Sequence, residues 1–330
     1  MRYFPAMKTL IPACAIALIA FTGLSAQQTQ QTAQSTPAQP AQQGQGRGRG
    51  GPQQPPRDPP AEFFSKKEPK GLVEFEMMTW PEVYRAIHKE GKTTALIYFG
   101  GTESRGPQNV NGGHTIMGRA IVREIALKLG NAITLPVIPY SQNNASNQTT
   151  GTIGLTSEIQ AALTEQLAEQ AIATGFNNVI ILNDHGGGTN VYGQVAKKLE
   201  EKYRAPELAS RNVHVFYADQ VYAKAQNDFD AWLKEHNLPV SGHAGIPDTS
   251  TMMYLQERDK KGNDYTRLDL LPVAVTVPNP TDPAAPRPVA SGVSGDGRAS
   301  DVKYGKMAMD IKIDYAVKQI QEFLKSVGAK

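Results

Sequence analysis

The apolar run Val179-Ile180-Ile181-Leu182 passes directly into Asn183-Asp184-His185-Gly186-Gly187-Gly188. A short β-branched run of this kind reads as a strand buried on both faces, as strands of a parallel sheet are. The glycines mark an abrupt turn at its carboxyl end, which is where an open α/β sheet keeps its ligands. Successive glycines let the backbone approach a ligand or ion closely, because glycine tolerates positive φ and carries no side chain. The segment therefore points to an α/β architecture that presents His185 at its functional edge. The competing reading is an ordinary βα loop with a solvated histidine.

The surrounding chain repeats the same alternation. Thr79-Trp80-Pro81-Glu82 has an N-cap followed by a proline in the first turn, and predicts a helix ending before Gly91. Residues 93–99 then form a strand, 100–113 a glycine-rich loop, and about 115–129 a helix with Ile116, Ala120, Ile121, Ile125 and Leu129 on one stripe, closed by Gly130. Further elements are expected as a strand at 134–139, a helix at 157–174, the strand 178–182, a helix at 191–203 and a strand at 213–218. Strands alternating with helices of this length imply an α/β fold, a three-layer α/β/α sandwich with a mostly parallel central sheet. Residues 62–330 read as one such domain, with no internal repeat.

The amino-terminal part differs in composition. Residues 1–26 combine Arg2 and Lys8 with an apolar stretch from Leu10 to Phe21 and small residues up to Ala26, a signal-peptide pattern. That stretch falls short of the roughly 20 residues a membrane span needs, so export to the periplasm or medium, with cleavage near Ala26 and no membrane span thereafter, is expected. Cys14 is the single cysteine and would leave with the signal. Residues 27–61 are mostly Gln, Pro, Gly, Ala, Ser and Thr, a composition that cannot bury enough apolar surface to offset ordering and reads as a disordered linker. A net charge of +3 gives no case for a nucleic-acid partner.

A second constellation issues from the first strand. Glu103 lies in Gly100-Gly101-Thr102-Glu103-Ser104-Arg105-Gly106-Pro107, and His114 closes the same loop after Gly112-Gly113. Glu103, His114 and His185 form a His/His/Glu set, the ligand types of a catalytic zinc that keeps one position for water. On spacing alone Glu103 reads equally as a solvated charge, and His114 as a residue capping the adjacent helix.

These segments together resemble the creatininase family of metal-dependent amidohydrolases. Gly101-Thr102-Glu103-Ser104-Arg105-Gly106-Pro107-Gln108 is similar to the family's Gly-Ser/Ala-Thr-Glu-Gln-His-Gly-Pro-His, and His114 stands at the position of its Gly-Thr-Asp aspartate. Gly151-Thr152-Ile153-Gly154-Leu155, Gly175-Phe176 leading to the His185 turn, His243-Ala244-Gly245-Ile246-Pro247-Asp248-Thr249-Ser250 and Gly292-Val293-Ser294-Gly295-Asp296-Gly297-Arg298-Ala299 resemble further family motifs in the same order. The resemblance implies a hydrolase of non-peptide C–N bonds, which the signal-peptide pattern makes an exported one, acting on a small-molecule amide, linear or cyclic, through metal-activated water, and a homo-oligomer, often a hexamer in the family.

The departures bear on the metal. The resemblance assigns two ions to the family pocket, but here the histidine two residues after the glutamate is Arg105 and the bridging aspartate is His114. Arginine cannot ligate a cation and adds a fixed positive charge, while imidazole directs one nitrogen at a time to a metal. One ion per chain, Zn2+ or Mn2+, on Glu103, His114 and His185 is therefore expected. His243 matches the family's proton-moving histidine, Arg105 is expected to bind a substrate carboxylate or developing oxyanion, and Asp248 to serve as ligand or base. The alternative is a noncatalytic protein of this fold that binds a small ligand or partner through the remodelled pocket, with Arg105 neutralising Glu103. His88, His214 and His236 match no family position; Trp80 is expected to pack the first helix and Trp232 to lie near the site.

Overall fold

The computed structural model describes residues 57–329, apart from 68, 70, 147–148, 241, 272–275, 278–286 and 289–290. The expected signal segment and the expected linker up to residue 56 lie outside the described residues. Helix α1 (Trp80–His88) begins at a capping box in which the Thr79 N–H donates to Glu82 Oε2 at 2.7 Å. Next come β1 (Thr94–Phe99), α2 (Gly113–Leu129), β2 (Ala132–Thr134), α3 (Ser157–Thr174), β3 (Asn178–Asn183), α4 (Thr189–Arg204), the single turn α5 (Pro206–Ala209) and β4 (His214–Tyr217). Helices α6 (Ala223–Glu235) and α7 (Ile246–Arg258), the two-residue strands β5 (Thr276–Val277) and β6 (Arg287–Pro288), and the long α8 (Val302–Ser326) complete the chain.

The four-stranded sheet has the order β2-β1-β3-β4, and every pairing in it is parallel. All residues of β1 and β3 are buried, as expected of central strands covered on both sides. Alternation divides their side chains between two cores. Leu96, Tyr98, Ile180 and Leu182 pack with Met117, Ile121 and Ile125 of α2 and Ile313, Ala316 and Ile320 of α8. Ala95, Ile97, Phe99, Val179 and Ile181 pack with α1, α3 and α4 through Ile87, Ile172, Tyr192 and Leu199. The molecule is thus the expected α/β/α sandwich. Truncating a central residue such as Ile181 to alanine would cost about 2–5 kcal/mol.

The strand order also creates the site. From β1 the chain turns through α2 to β2 on one side, whereas β3 turns through α4 to β4 on the other. The loops after β1 and β3 therefore diverge and leave a crevice at the carboxyl ends of adjacent strands. Phe99 is paired with Asn183 at that edge, and the Asp184 N–H donates to the Phe99 carbonyl at 3.0 Å.

The structure corrects two sequence expectations. The strand expected at 134–139 lies instead at Ala132–Thr134. Pro136 and Pro139 lack the N–H needed for a regular ladder, and beyond β2 the chain crosses irregularly, with one further bridge from Phe99 to Ile138. Trp80 is 55 % exposed and touches the edge of Phe63, so it does not anchor α1 in the core; Val83, Ala86 and Ile87 do. Among the described residues no helix is long and apolar enough to cross a membrane.

Candidate metal centre

Glu103 is carried by the loop after β1, which is pinned on both sides. Its N–H donates to the Asn111 carbonyl at 3.0 Å, and Thr102 pairs with Ile153. His114 is the second residue of α2, where side chains lean back toward the helix amino terminus and so toward the loop. His185 comes two residues after the end of β3, its turn held by Asn183, whose amide donates to the His185 carbonyl at 2.6 Å and accepts from Tyr217 at 2.8 Å. Glycine is required in this turn, since a Cβ on Gly187 would lie 2.0 Å from the Gln142 carbonyl oxygen.

The three residues converge. His114 Nε2 lies 2.7 Å from Glu103 Oε1 and His185 Nε2 lies 2.9 Å from Oε2, with one ligand atom from each residue within 4.8 Å of the others. His243, from the segment before α7, places Nε2 2.9 Å from the same Oε1. The Asn143 amide donates to Oε2 at 2.9 Å. Burial alone would raise the Glu103 carboxyl, but hydrogen bonds from His114, His185 and His243 reverse that and hold it far below the usual carboxylate range. His243 is shifted upward, first by its bond to Glu103, against the opposing effect of burial. His114 engages its neighbours rather than capping its helix: Nδ1 faces Asp184 Oδ2 at 3.2 Å, and the other Asp184 oxygen accepts from Lys312 of α8. Burial raises the Asp184 carboxyl, yet Lys312 and then His114 keep it ionised, below its ordinary range.

Arg105 sits elsewhere than the sequence suggests. It is wholly buried, and its Nη2 lies 2.7 Å from Asp248 Oδ1, an ion pair without the alignment of a hydrogen bond; Nε and Nη1 have no acceptor. Its partner is thus Asp248 and not Glu103. The second Asp248 oxygen accepts from the Ala244 N–H at 2.7 Å. Burial pushes the Asp248 carboxyl up, while Arg105 outweighs it and lowers the result. Both oxygens being engaged, Asp248 braces the His243 segment, where Ala244 adopts φ 53°.

A cavity of about 180 Å³ opens onto Glu103, His114, His185 and His243, with Tyr222, Asp248 and Lys312 in its wall. A groove of about 780 Å³ along α2, α7 and α8 is larger but contains none of these groups, and the chemistry favours the smaller space. Burial, together with the negative charges of Asp184, Asp248 and Glu103, pushes the Tyr222 phenol up to about 12, so it stays protonated and able to donate. Trp232 lies away from this wall, stacked on His236. His88 and His214 also lie apart, against Tyr84 and Glu200.

The donor set suits a divalent cation. Carboxylate and imidazole are its ordinary ligands, and a ligating histidine typically gives its other N–H to a carboxylate, as His114 gives its own to Asp184. Asp184, Lys312, Asn143 and Tyr222 were not singled out from the sequence. Asp184 had a signal in its position next to His185; Lys312 had none, since only folding brings α8 to the β3 turn.

A family model described as creatininase, creatinine amidohydrolase, matches residues 76–320. Among solved structures the chain is similar to a tryptophan-to-phenylalanine mutant creatininase at 19 % identity and TM-score 0.58, covering 76 % of this chain and 98 % of that one. It is also similar to a manganese creatininase at 18 % identity and TM-score 0.57 with the same coverage. A putative creatinine amidohydrolase from Bacteroides fragilis is 18 % identical with TM-score 0.56, covering 77 % of this chain and 96 % of that one. No curated protein sequence matches the chain.

Proposed function

The chain belongs to the creatininase family, and from that premise we propose that it is an exported amidohydrolase holding one divalent cation, zinc or manganese, and cleaving a non-peptide C–N bond of a small amide. The observation that carries this reading is the convergence of His114 and His185 on Glu103 at 2.7 and 2.9 Å beside a cavity of about 180 Å³. Bound by Glu103, His114 and His185, the cation would supply a water of lowered pKa and polarise a carbonyl. Solved creatininases of the Zn-Zn type and with manganese are consistent with either metal.

The chain's own groups provide the remainder. Asp184, neutralised by Lys312, holds the His114 ring through Nδ1, and Asn143 fixes the second oxygen of Glu103. Tyr222 presents a phenol proton to an oxygen of the substrate. His243, turned by the Gly292 carbonyl and lifted in basicity by Glu103, is placed to give a proton to the departing nitrogen. Arg105 and Asp248 act as a pair that aims His243 through Ala244.

Elemental analysis of the purified protein, followed by a screen of linear and cyclic amides with and without chelator, tests the proposal. About one ion per chain and chelator-sensitive release of amine support it. A protein that binds no cation and hydrolyses no amide is the noncatalytic binding module instead.

A further inference from the structure

Lys312 stands on the buried stripe of α8, one turn from Ala308 and one from Ala316, which are 4 % and 0 % exposed. An ammonium is costly to bury, and it brings three N–H donors with it. Its side chain is 12 % exposed, and among the described residues its hydrogen-bond acceptor is the Asp184 carboxylate alone. Lys312 also lines the cavity of about 180 Å³, where its remaining donors are available. Tyr222 shares that wall, with its ring centroid 5.9 Å from Lys312 Nζ. Its hydroxyl has no hydrogen-bond partner among the described residues, and a Cβ on Gly186 would lie 2.7 Å from it, so the phenol reaches over the His185 turn. The two donors are held in register by Gln319, two turns beyond Lys312 on α8. Gln319 accepts from the Gln220 N–H at 3.0 Å and donates to Asp219 at 2.7 Å, which ties the helix to the segment bearing Tyr222.

We propose that Lys312 Nζ and the Tyr222 hydroxyl bind a carboxylate carried by the substrate, so that the amide cleaved is that of a small acid: an N-acylated amino acid or a cyclic amide with a carboxylate substituent. The inference rests on the amidohydrolase reading and names its substrate class. Arg105 is wholly buried against Asp248, and the task expected of it falls to Lys312. Two donors, one of them charged, match the two oxygens of one carboxylate. The balance of charge agrees. Lys312, Arg105 and a divalent cation outweigh the carboxylates of Glu103, Asp184 and Asp248 by one, and protonation of any histidine there adds to the excess, so the loaded centre does not repel an anion. A neutral amide cannot satisfy both donors as an anion does, and leaves a largely dehydrated ammonium short of acceptors.

Isothermal titration calorimetry on the zinc-saturated full chain tests this, with N-acetylglycine and pyroglutamate as probes and their N-methylamides as neutral counterparts. The acids should bind at least about tenfold more tightly than the amides. Lys312→Met should abolish that preference, and Tyr222→Phe, which keeps the ring and the Asp184 brace, should reduce it at least about threefold. The ratio is the readout because a disturbed His114 weakens acid and amide alike. Equal binding of the two, or binding of neither, overturns the proposal and leaves the metal site standing. Survival of the full preference in either variant overturns it too, since the carboxylate then rests on the cation. A wild type that takes up no zinc defeats both this inference and the reading on which it rests. Should Lys312→Met not fold, Tyr222→Phe decides.

Discussion

Arg105 closes on Asp248, Nη2 to Oδ1 at 2.7 Å, and so ties the loop after β1 to the first turn of α7. The guanidinium is wholly buried, and Asp248 is the carboxylate that balances it. Asp248→Asn strands that charge, a change that typically costs about 3–5 kcal/mol. Urea unfolding should show the loss, and Arg105→Met combined with Asp248→Asn should recover most of it. A single variant as stable as the wild type would mean that the pair contributes little.

Lys312 lies in the wall of the site cavity and braces the proposed ligand His114 through Asp184. In Lys312→Met the Asp184 carboxylate loses its cation and its fixed position, and His114 loses its anchor. Cation affinity is expected to fall about tenfold, the low end of the 10–100-fold loss seen when a group bonded directly to a metal ligand is removed, because Lys312 stands one bond further out. Chelator competition at unchanged circular dichroism checks this. Wild-type affinity in the variant would show that Asp184 holds its place unaided.

Restoring the family residues tests whether Arg105 and His114 limit the site to one ion. Arg105→His with His114→Asp replaces a fixed positive charge and a single-nitrogen donor by a ligand and a bridging carboxylate. Metal content should rise from about one to about two ions per chain. A double variant that stays at one ion would mean that the pocket has changed shape, for instance where Gly187 meets the Gln142 carbonyl.

The metal-free protein should have a bounded pH optimum. Glu103 and Asp184 are lowered in the fold, so their contribution is complete above ordinary carboxylate values of about 4 and is lost as pH falls below them. His243 is raised, so its contribution is complete below its unfolded value of about 6.5 and disappears as pH rises through its folded one. Urea midpoints measured in chelator should therefore peak between about pH 5 and about pH 6.5. Glu103→Gln should flatten the alkaline limb, because the His243 shift originates chiefly in Glu103. A wild-type profile level across that range would contradict the arrangement.

The alternation of apolar runs with amphipathic helices was enough to place β1, β3, α3 and the layered sheet, because each depends on a local period and on burial of both faces of the strands. The loop glycines were legible for the same reason, whereas Glu103, His114 and His185 were ambiguous on spacing alone and were singled out by the order of the motifs that resemble the family. Where β2 ends was less legible, since apolar composition continues through residues whose prolines cannot complete a ladder.

The chain alone determined the sandwich and pointed to candidate donors at its carboxyl edge, properties carried by neighbours in sequence. Only the tertiary structure decided their pairing. It set Arg105 against Asp248, brought Lys312 from α8 to Asp184, and gave His114 and His243 one oxygen of Glu103 to share. Those contacts join segments far apart in the chain, and their charge and tautomer depend on the burial and acceptors that meet only when the layers close.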